Sequence, residues 1–304
     1  MKIVFFGNSK YSSLVARAVQ SKFGLSLVVT KPDKPAGRQK QLTPNPVKEF
    51  AQKSNLPVLT CDNLDKASLE TIAKVRPDFL VVADYGLILP KDLLTLPKFA
   101  AFNVHHSLLP KYRGPSPTPA VILAGEKESG VTIIAMTEKV DAGNILAQEK
   151  YLLKVDETSD SLLIRLNNLG AKILILTIKN YLKGEVKPQR QDNSKASYTH
   201  RLKKEDGFID LENPPNPVTF DRMIRAYYPW PGVWSKVTLR RTQSDAEHGR
   251  SIKVRSGKSV LIKFLPGNLI QPEGKRPMSI SEFRNGYPEV FEQIKHLFSQ
   301  KAQS

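Results

Sequence analysis

The chain of 304 residues contains a single cysteine, Cys61. One thiol excludes a disulfide within the chain and any zinc site built on cysteine pairs, because both need further cysteines. The sequence also has no H-E-x-x-H or C-x-x-C motif, so we expect no metal site. A lone cysteine fits a reducing compartment, and the expected location is the cytoplasm.

Long hydrophobic runs are missing as well. The strongest apolar stretches, such as DFLVVAD at 78–84, are far shorter than the ~20 residues that cross a bilayer. The N-terminal segment MKIVFFGNSKYSS has too short an apolar part for a signal peptide and no small-residue cleavage site. We therefore expect no membrane partner, and we predict that this segment contains the first β-strand.

Acidic residues are few relative to basic ones. The chain has 46 Lys and Arg against 29 Asp and Glu, a formal net charge of +17. A charge of this size predicts attraction to polyanions such as nucleic acids. The composition equally fits a basic enzyme without a nucleic-acid partner, so charge alone leaves both interpretations open.

The first half of the chain alternates short β-rich segments with helical ones. Strands are predicted at 2–6, 25–29, 79–83, 100–105 and 131–136. The helices predicted between them include 12–23 and 45–54. Such alternation produces right-handed βαβ units and a mostly parallel sheet covered on both faces. The predicted fold class is therefore α/β, with a Rossmann-like sheet.

The second half of the chain is organised differently. Residues 158–182 keep apolar side chains at helical spacing and end shortly before Gly184, which predicts a long amphipathic helix. A polar, charged stretch follows, and beyond it short strands alternate with turns. We predict an N-terminal domain over 1–186, a linker over 187–205 and a smaller β-rich domain over 206–304.

Two adjacent histidines occur in the segment NVHHSLLPKYRGPSP at 103–117. Because neighbouring side chains of a strand point to opposite faces, Asn103 and His105 share one face and His106 lies on the other. At the carboxyl end of a parallel strand, Asn103 and His105 would face the crevice where open α/β sheets bind ligands. This alternation predicts a catalytic role for His105 and a structural role for His106.

An amide and an imidazole on one face suit acyl transfer, because the amide donates to a developing oxyanion and the imidazole moves a proton. Asp141 follows the strand at 131–136 in a turn-rich segment and is the candidate carboxylate that orients His105. The alternative is a core histidine at His105 and an ordinary turn residue at Asp141. The residues alone leave that alternative open.

The segment at 103–117, followed by GVTIIAMTEKVDAGNIL at 130–146, resembles the signature of the formyltetrahydrofolate-dependent formyltransferases. Further segments resemble the branch of that family that acts on methionyl-tRNA: TKPDKPAGRQKQLTPNPVK at 30–48, DYGLILPK at 84–91, RAYYPWPGVW at 225–234 and QPEGKRPMS at 271–279. The resemblance runs almost end to end. It implies a formyltransferase domain followed by a small C-terminal β-barrel of the oligonucleotide-binding (OB) type, shortened between Trp234 and Gln271.

The resemblance implies a role for each matching residue. Asn103 would polarise the formyl carbonyl, His105 would stabilise the tetrahedral oxyanion and assist proton transfer, and Asp141 would support His105. Tetrahydrofolate would be bound by Ser107, Leu108, Leu109, Pro110, Leu87, Ile88 and Leu89. The tRNA would be bound by a basic loop with Lys34, Arg38 and Lys40, and by the C-terminal barrel.

The implied function is transfer of a formyl group from 10-formyltetrahydrofolate, as cosubstrate, to the amino group of methionyl initiator tRNA, by a monomer. Three alternatives are the same transfer to an amino sugar or purine precursor, hydrolysis of formyltetrahydrofolate, and tRNA binding without catalysis. Several residues depart from the family pattern, among them Gly7-Asn8-Ser9 where the family usually has Gly-Thr-Pro, and Tyr228 where a polar residue is usual. Asp84 and His106 both stand where the family commonly has a small residue.

Overall fold

The computed structural model describes residues 1–37, 41–238 and 259–298. The chain divides into two compact units. The first comprises Met1–Thr118, Lys127–Lys154 and Ser161–Arg201, and the second comprises Pro119–Glu126, Val155–Asp160 and Leu202–Ser304. The domain and linker boundaries drawn from the sequence stay a prediction.

The first unit is built on a seven-stranded sheet. The strands of this unit are β1 (Ile3–Phe6), β2 (Leu27–Thr30), β3 (Lys34–Ala36), β4 (Gln41–Thr43), β5 (Val58–Thr60), β6 (Phe79–Val82), β7 (Ala100–His105), β8 (Glu128–Ala135) and β9 (Ile145–Leu152). Strands β3 and β4 form a separate antiparallel ribbon, and the others have the order β5-β2-β1-β6-β7-β8-β9. From β5 through β2, β1 and β6 to β7, neighbouring strands are parallel. Strand β8 is antiparallel to both of its neighbours, β7 and β9. The predicted Rossmann-like, mostly parallel sheet is confirmed.

The central strands are apolar except for Thr30 at the end of β2. Strands β1, β2 and β6 read IVFF, LVVT and FLVV, and every one of their residues is buried. A strand covered on both faces has no solvent side, so its sequence is a continuous apolar run and not an alternating one. Polar side chains that could act on a ligand are consequently expected in the residues that follow these strands.

Helices connect the strands of this part of the chain. They are α1 (Ser12–Phe23), α2 (Pro46–Lys53), α3 (Lys66–Val75), α4 (Lys91–Leu94), α5 (Pro117–Ala124) and α6 (Ser159–Leu182), with a 3₁₀ turn at Asn193–Lys195. Most of α5 belongs to the second unit. The start of α2 follows directly from its sequence. Asn45 accepts hydrogen bonds from the backbone amides of Val47 and Lys48, and Pro46 occupies the first helical position.

Helix α6 is long and apolar enough, by length and composition alone, to cross a membrane. Its fully buried residues include Leu162, Leu166, Leu174 and Ile178. At Gly170 the helix approaches the sheet so closely that a Cβ would lie 2.6 Å from the side chain of Val104 and 3.2 Å from that of Val131. The apolar face of α6 is therefore used to cover β7 and β8.

The second unit contains an antiparallel sheet. Its elements are α7 (Pro217–Ala226), β10 (Val233–Thr238), β11 (Ser259–Leu265), β12 (Leu269–Pro272), β13 (Met278–Ser279), α8 (Ile280–Gly286) and α9 (Pro288–Ile294), with 3₁₀ turns at Lys204–Gly207 and Lys295–Leu297. The strand order is β10-β11-β12-β13. Phe220 of α7 packs edge-to-face on Phe264 of β11 and on Phe298, at 4.9 and 5.7 Å between ring centroids. The predicted C-terminal β-rich domain is confirmed. Its closure into a shortened barrel stays a prediction, because residues 239–258 lie outside the described part of the chain.

Candidate active site

A pocket of about 430 Å³ lies at the carboxyl edge of the sheet in the first unit. Residues that follow β6, the end of β7 and the loop after β8 line it, and they include Asn103, His105 and Asp141. Strand β7 places Asn103 beside Val82 of β6 and His105 beside Thr132 of β8. The structure therefore brings the three residues predicted to be catalytic into the crevice where parallel strands end.

Asp141 lies where three groups of the pocket meet. Its Oδ1 accepts a hydrogen bond from Asn103 Nδ2 at 3.2 Å, and its Oδ2 accepts one from the Gly114 amide at 2.8 Å. The same Oδ2 lies 3.6 Å from His105 Nδ1. The backbone at Asp141 is left-handed, with φ 50°, a conformation that aspartate adopts more readily than most residues. One carboxylate thus positions both the amide and the imidazole.

The His105 ring is held on both sides and is 5% exposed. Its Nε2 lies 3.0 Å from the carbonyl oxygen of Tyr112. Because a carbonyl oxygen only accepts, this contact assigns a proton to Nε2. The other nitrogen, Nδ1, faces the Asp141 carboxylate, which orients the ring.

A buried arginine supports the loops around the pocket, and the sequence analysis did not identify it. The Arg113 guanidinium is 3% exposed and donates to Gln191 Oε1 at 2.7 and 3.1 Å. It also donates to Asn193 Oδ1 at 2.9 Å. Gln191 Nε2 in turn donates to the carbonyl oxygens of Asp141 and Gly143, at 2.8 and 2.7 Å. Arg113 and Gln191 therefore fix the backbone that carries Asp141.

The turn after Asp141 has no room for a side chain at Gly143. A Cβ there would lie 1.8 Å from the carbonyl oxygen of Ala135. We expect Gly143→Ala to lower the free energy of unfolding by about 3 kcal/mol, since backbone must move to accept the methyl group. Gly286→Ala is the matched control, because its Cβ would meet nothing within 4 Å and it ends helix α8. Urea unfolding of both variants checks this, and equal midpoints would contradict it.

The residues expected to bind folate fall into two groups. Leu87, Ile88 and Leu89 line the pocket, whereas the stretch Ser107 to Pro110 does not contribute to the described lining. Thr132 Oγ1 donates to the Ser107 carbonyl at 2.6 Å and accepts from the Leu109 amide at 3.2 Å. The stretch thus shapes the turn that leads to Tyr112. Folate contact by these residues stays a prediction.

His106 directly follows β7, and its ring lies near Asn167 of α6, whereas His105 faces Asp141. His106 is 7% exposed, and its pKa is lowered to about 4, chiefly by burial and then by the neighbouring His105, with Asn167 partly offsetting both. The fold therefore favours neutral His106. Above about pH 6.5, His106 is neutral in both the folded and the unfolded chain and does not lower the free energy of unfolding. As the pH falls from 6.5 towards 4, the unfolded chain binds a proton at His106 more tightly than the folded chain, so the protein loses stability.

The residues expected to bind tRNA are described only in part. Lys34 is exposed at the start of β3 and pairs with Thr43 of β4 in the antiparallel ribbon. Arg38 and Lys40 lie outside the described residues. In the part of the chain that the structure describes, no group of three or more His, Cys, Asp or Glu is arranged to hold a metal ion.

Comparison with known proteins gives a consistent result. The family model described as "Formyl transferase" matches residues 1–178, and the model "Formyl transferase, C-terminal domain" matches residues 201–288. The methionyl-tRNA formyltransferase of Roseiflexus castenholzii is 40% identical over 302 residues, which cover 94% of this chain and 96% of the relative. That of Chloroflexus aurantiacus is 39% identical and covers 94% and 97%.

The fold is also similar to that of solved formyltransferases. A sugar 3N-formyl transferase, crystallised in the presence of dTDP and 5-N-formyl-THF, superposes with a TM-score of 0.59. Its sequence is 18% identical, and the match covers 91% of this chain and 99% of the other. At this identity the similarity is one of fold.

Proposed function

The chain belongs to the formyl transferase family, and we propose that it transfers a formyl group to the free amino group of methionyl initiator tRNA. The proposal follows the relatives matched over 94% of the chain, which are methionyl-tRNA formyltransferases. The formyl donor is a folate derivative, and we propose 10-formyltetrahydrofolate. The cytoplasm as location and a monomeric state remain our expectations.

The observation that carries the proposal is the arrangement of Asn103, His105 and Asp141 in one pocket. Asp141 accepts from Asn103 Nδ2 at 3.2 Å and faces His105 Nδ1 at 3.6 Å. These three residue types are what formyl transfer needs: a donor for a developing oxyanion, a group that moves protons, and a carboxylate that holds both.

Each side chain has a distinct task in this proposal. Asn103 has two N–H donors, and because one donates to Asp141, the amide is oriented with the other available for the formyl oxygen. As the amine attacks, negative charge develops on that oxygen, and the donors already in place lower the barrier. His105 moves a proton from the attacking nitrogen towards the departing nitrogen of the folate, while Asp141, 3.6 Å from its Nδ1, orients the ring.

The pocket suits the flat, partly apolar ring system of a folate. Its volume of about 430 Å³ is within the range of small-molecule sites. Apolar residues contribute much of its lining, with Leu87, Leu89, Met136 and Val140 among them. Leu87, Ile88 and Leu89 line the pocket, and we propose that they bind the folate.

The charge of the chain suits a tRNA acceptor. A net charge of +17 attracts a polyanion through release of its counterions. We propose that Lys34, which begins β3, contributes to this attraction together with Arg38 and Lys40. A nucleotide-linked amino sugar or a purine precursor carries few phosphates, whereas a tRNA carries many, so a large positive charge favours tRNA as the acceptor.

A comparison of acceptors tests the proposed function. With 10-formyltetrahydrofolate as donor, we expect kcat/KM for methionyl initiator tRNA to exceed that for a dTDP-linked amino sugar at least about 1,000-fold, because only the tRNA uses the basic surface. Formate release without acceptor should be negligible. Formylation of the amino sugar at a comparable kcat/KM would support the small-amine alternative, and formate release at the same rate without tRNA would support the hydrolase.

A further inference from the structure

Asp84 is a pocket residue that the chemistry above does not use. It follows β6 directly, two residues after Val82, which lies beside Asn103 of β7. It lines the same pocket as Asn103 and His105, and its backbone is left-handed with φ 48°. Aspartate adopts this conformation more readily than most residues, so only the place of the side chain in the pocket points to a use for it.

Asp84 follows β6, which lies beside β1 at the point where the strand order of the sheet reverses. Ser9 follows β1 and Lys31 follows β2, on the opposite side of β6 from β7. Asp84 is an exposed residue, but the protein packed around its carboxyl disfavours the charged form and raises its pKa, and a hydrogen bond with Ser9 and the charge of Lys31 offset this only in part. A crevice between β1 and β6 is where open α/β sheets receive ligands.

The other acids that line the described pocket are committed to neighbours. Asp141 accepts hydrogen bonds from Asn103 and Gly114. Glu138 is largely exposed and forms an ion pair with Lys91 at 3.6 Å. Asp84 has neighbours as well, Ser9 and Lys31, but they do not fully offset the desolvation that raises its pKa, so it is a candidate partner for a positively charged ligand group. The titratable and cationic groups that share the pocket are Lys31 near Gly86 and, in the lining, His105, His106, Lys139 and Arg201.

A methionyl acceptor brings such a positive group. Its α-amino group has a pKa of about 8, so near neutral pH it arrives mostly as an ammonium ion, which cannot attack a carbonyl. A carboxylate in the pocket can both attract the ammonium ion and remove one of its protons. The raised pKa of Asp84 brings its proton affinity closer to that of the amine, which favours transfer.

We propose that Asp84 binds the α-ammonium group of the methionyl acceptor and accepts one proton from it before the amine attacks. One N–H bond breaks and an O–H bond forms on Asp84. The neutral amine then forms the new C–N bond, the C–N bond to the folate breaks, the attacking nitrogen gives up a second proton, and the folate nitrogen gains one. Asp84 finally returns its proton to solvent. This inference rests on the proposed function.

The test compares Asp84→Asn with the wild-type protein at two pH values. Asparagine keeps the size of the side chain and tolerates the left-handed backbone. At pH 7 we expect kcat/KM for methionyl-tRNA to fall about tenfold, and at pH 8.5 we expect less than about a threefold loss, because most of the amine is then neutral in solution. Asp84→Gly should show the same loss at each pH as Asp84→Asn. Asp92 is an exposed acid on α4, and Asp92→Asn should have the wild-type kcat/KM at both pH values.

A binding measurement separates recognition of the ammonium group from the rate. Filter binding at pH 7 should show that wild-type protein prefers methionyl-tRNA about fivefold over tRNA carrying the 2-hydroxy analogue of methionine, and that Asp84→Asn loses this preference. Binding of 5-formyltetrahydrofolate should stay unchanged. A retained preference, or a loss of activity that is equal at both pH values, would overturn the role of Asp84. Absence of formylation by the wild-type protein would instead overturn the proposed function.

Discussion

Replacing His105 with glutamine is expected to lower kcat for formyl transfer by about 1,000-fold. The side chain stays polar, but it can no longer gain a proton beside Asp141 Oδ2, which lies 3.6 Å from Nδ1. General acid–base catalysis and stabilisation of a developing oxyanion are each worth about 10²–10⁴-fold in rate. Single-turnover transfer of labelled formyl to methionyl-tRNA measures the loss without interference from product release.

His106→Gln is the matched control for this substitution. His106 is adjacent in sequence and equally buried, but its ring lies near Asn167 of α6, and it is neutral at physiological pH. We expect its replacement to change the rate less than about tenfold and to act mainly on stability. Equal losses of rate in the two variants, at equal thermal stability, would contradict the assignment of the chemistry to one face of the strand.

Asp141→Asn is expected to have the second large effect, a loss of about 10³-fold in kcat. The substitution leaves one acceptor oxygen where the carboxylate has two. Asn103 Nδ2 and the Gly114 amide both donate to Asp141, so at least one of these donors would face an NH₂ group. The carboxylate that orients His105 is removed as well. Steady-state kinetics should show the loss in kcat, with KM for the folate changed much less.

The double variant with both His105→Gln and Asp141→Asn provides the control. If Asp141 acts through His105 and Asn103, the two substitutions should not multiply, and the double variant should be close to the slower single variant. Multiplicative losses would indicate that Asp141 acts independently of the histidine. A fall in the unfolding midpoint that accounts for the lost activity would indicate a structural role alone.

The parts of the site that the sequence predicted are those that depend on regular local structure. Strand alternation separates His105 from His106 because β7 is extended through residue 105 and lies between β6 and β8. The bounds of α1 and the start of α2 follow from apolar spacing and from the Asn45–Pro46 cap. Such features involve neighbours within a few residues, and a sequence pattern records them directly.

The supporting contacts could not be predicted in the same way. Arg113 and Gln191 are 78 residues apart, and the polar stretch at 187–205 has no periodicity that singles out Gln191. Their pairing depends on how the chain returns to the pocket after α6. The packing of Ser107 and Leu109 against Thr132 likewise depends on the β7–β8 register, which spacing alone does not determine.

The most direct test of the account is the fate of a labelled formyl group in one turnover. Excess wild-type protein, 10-formyltetrahydrofolate labelled in the formyl carbon and methionyl initiator tRNA are mixed at pH 7.5 and quenched within seconds. We predict that the label appears on the methionine nitrogen of the tRNA, and that Asn103→Ala, His105→Gln and Asp141→Asn each slow its appearance by at least about 100-fold. Label recovered as formate, or transfer at the wild-type rate in these variants, would contradict the account.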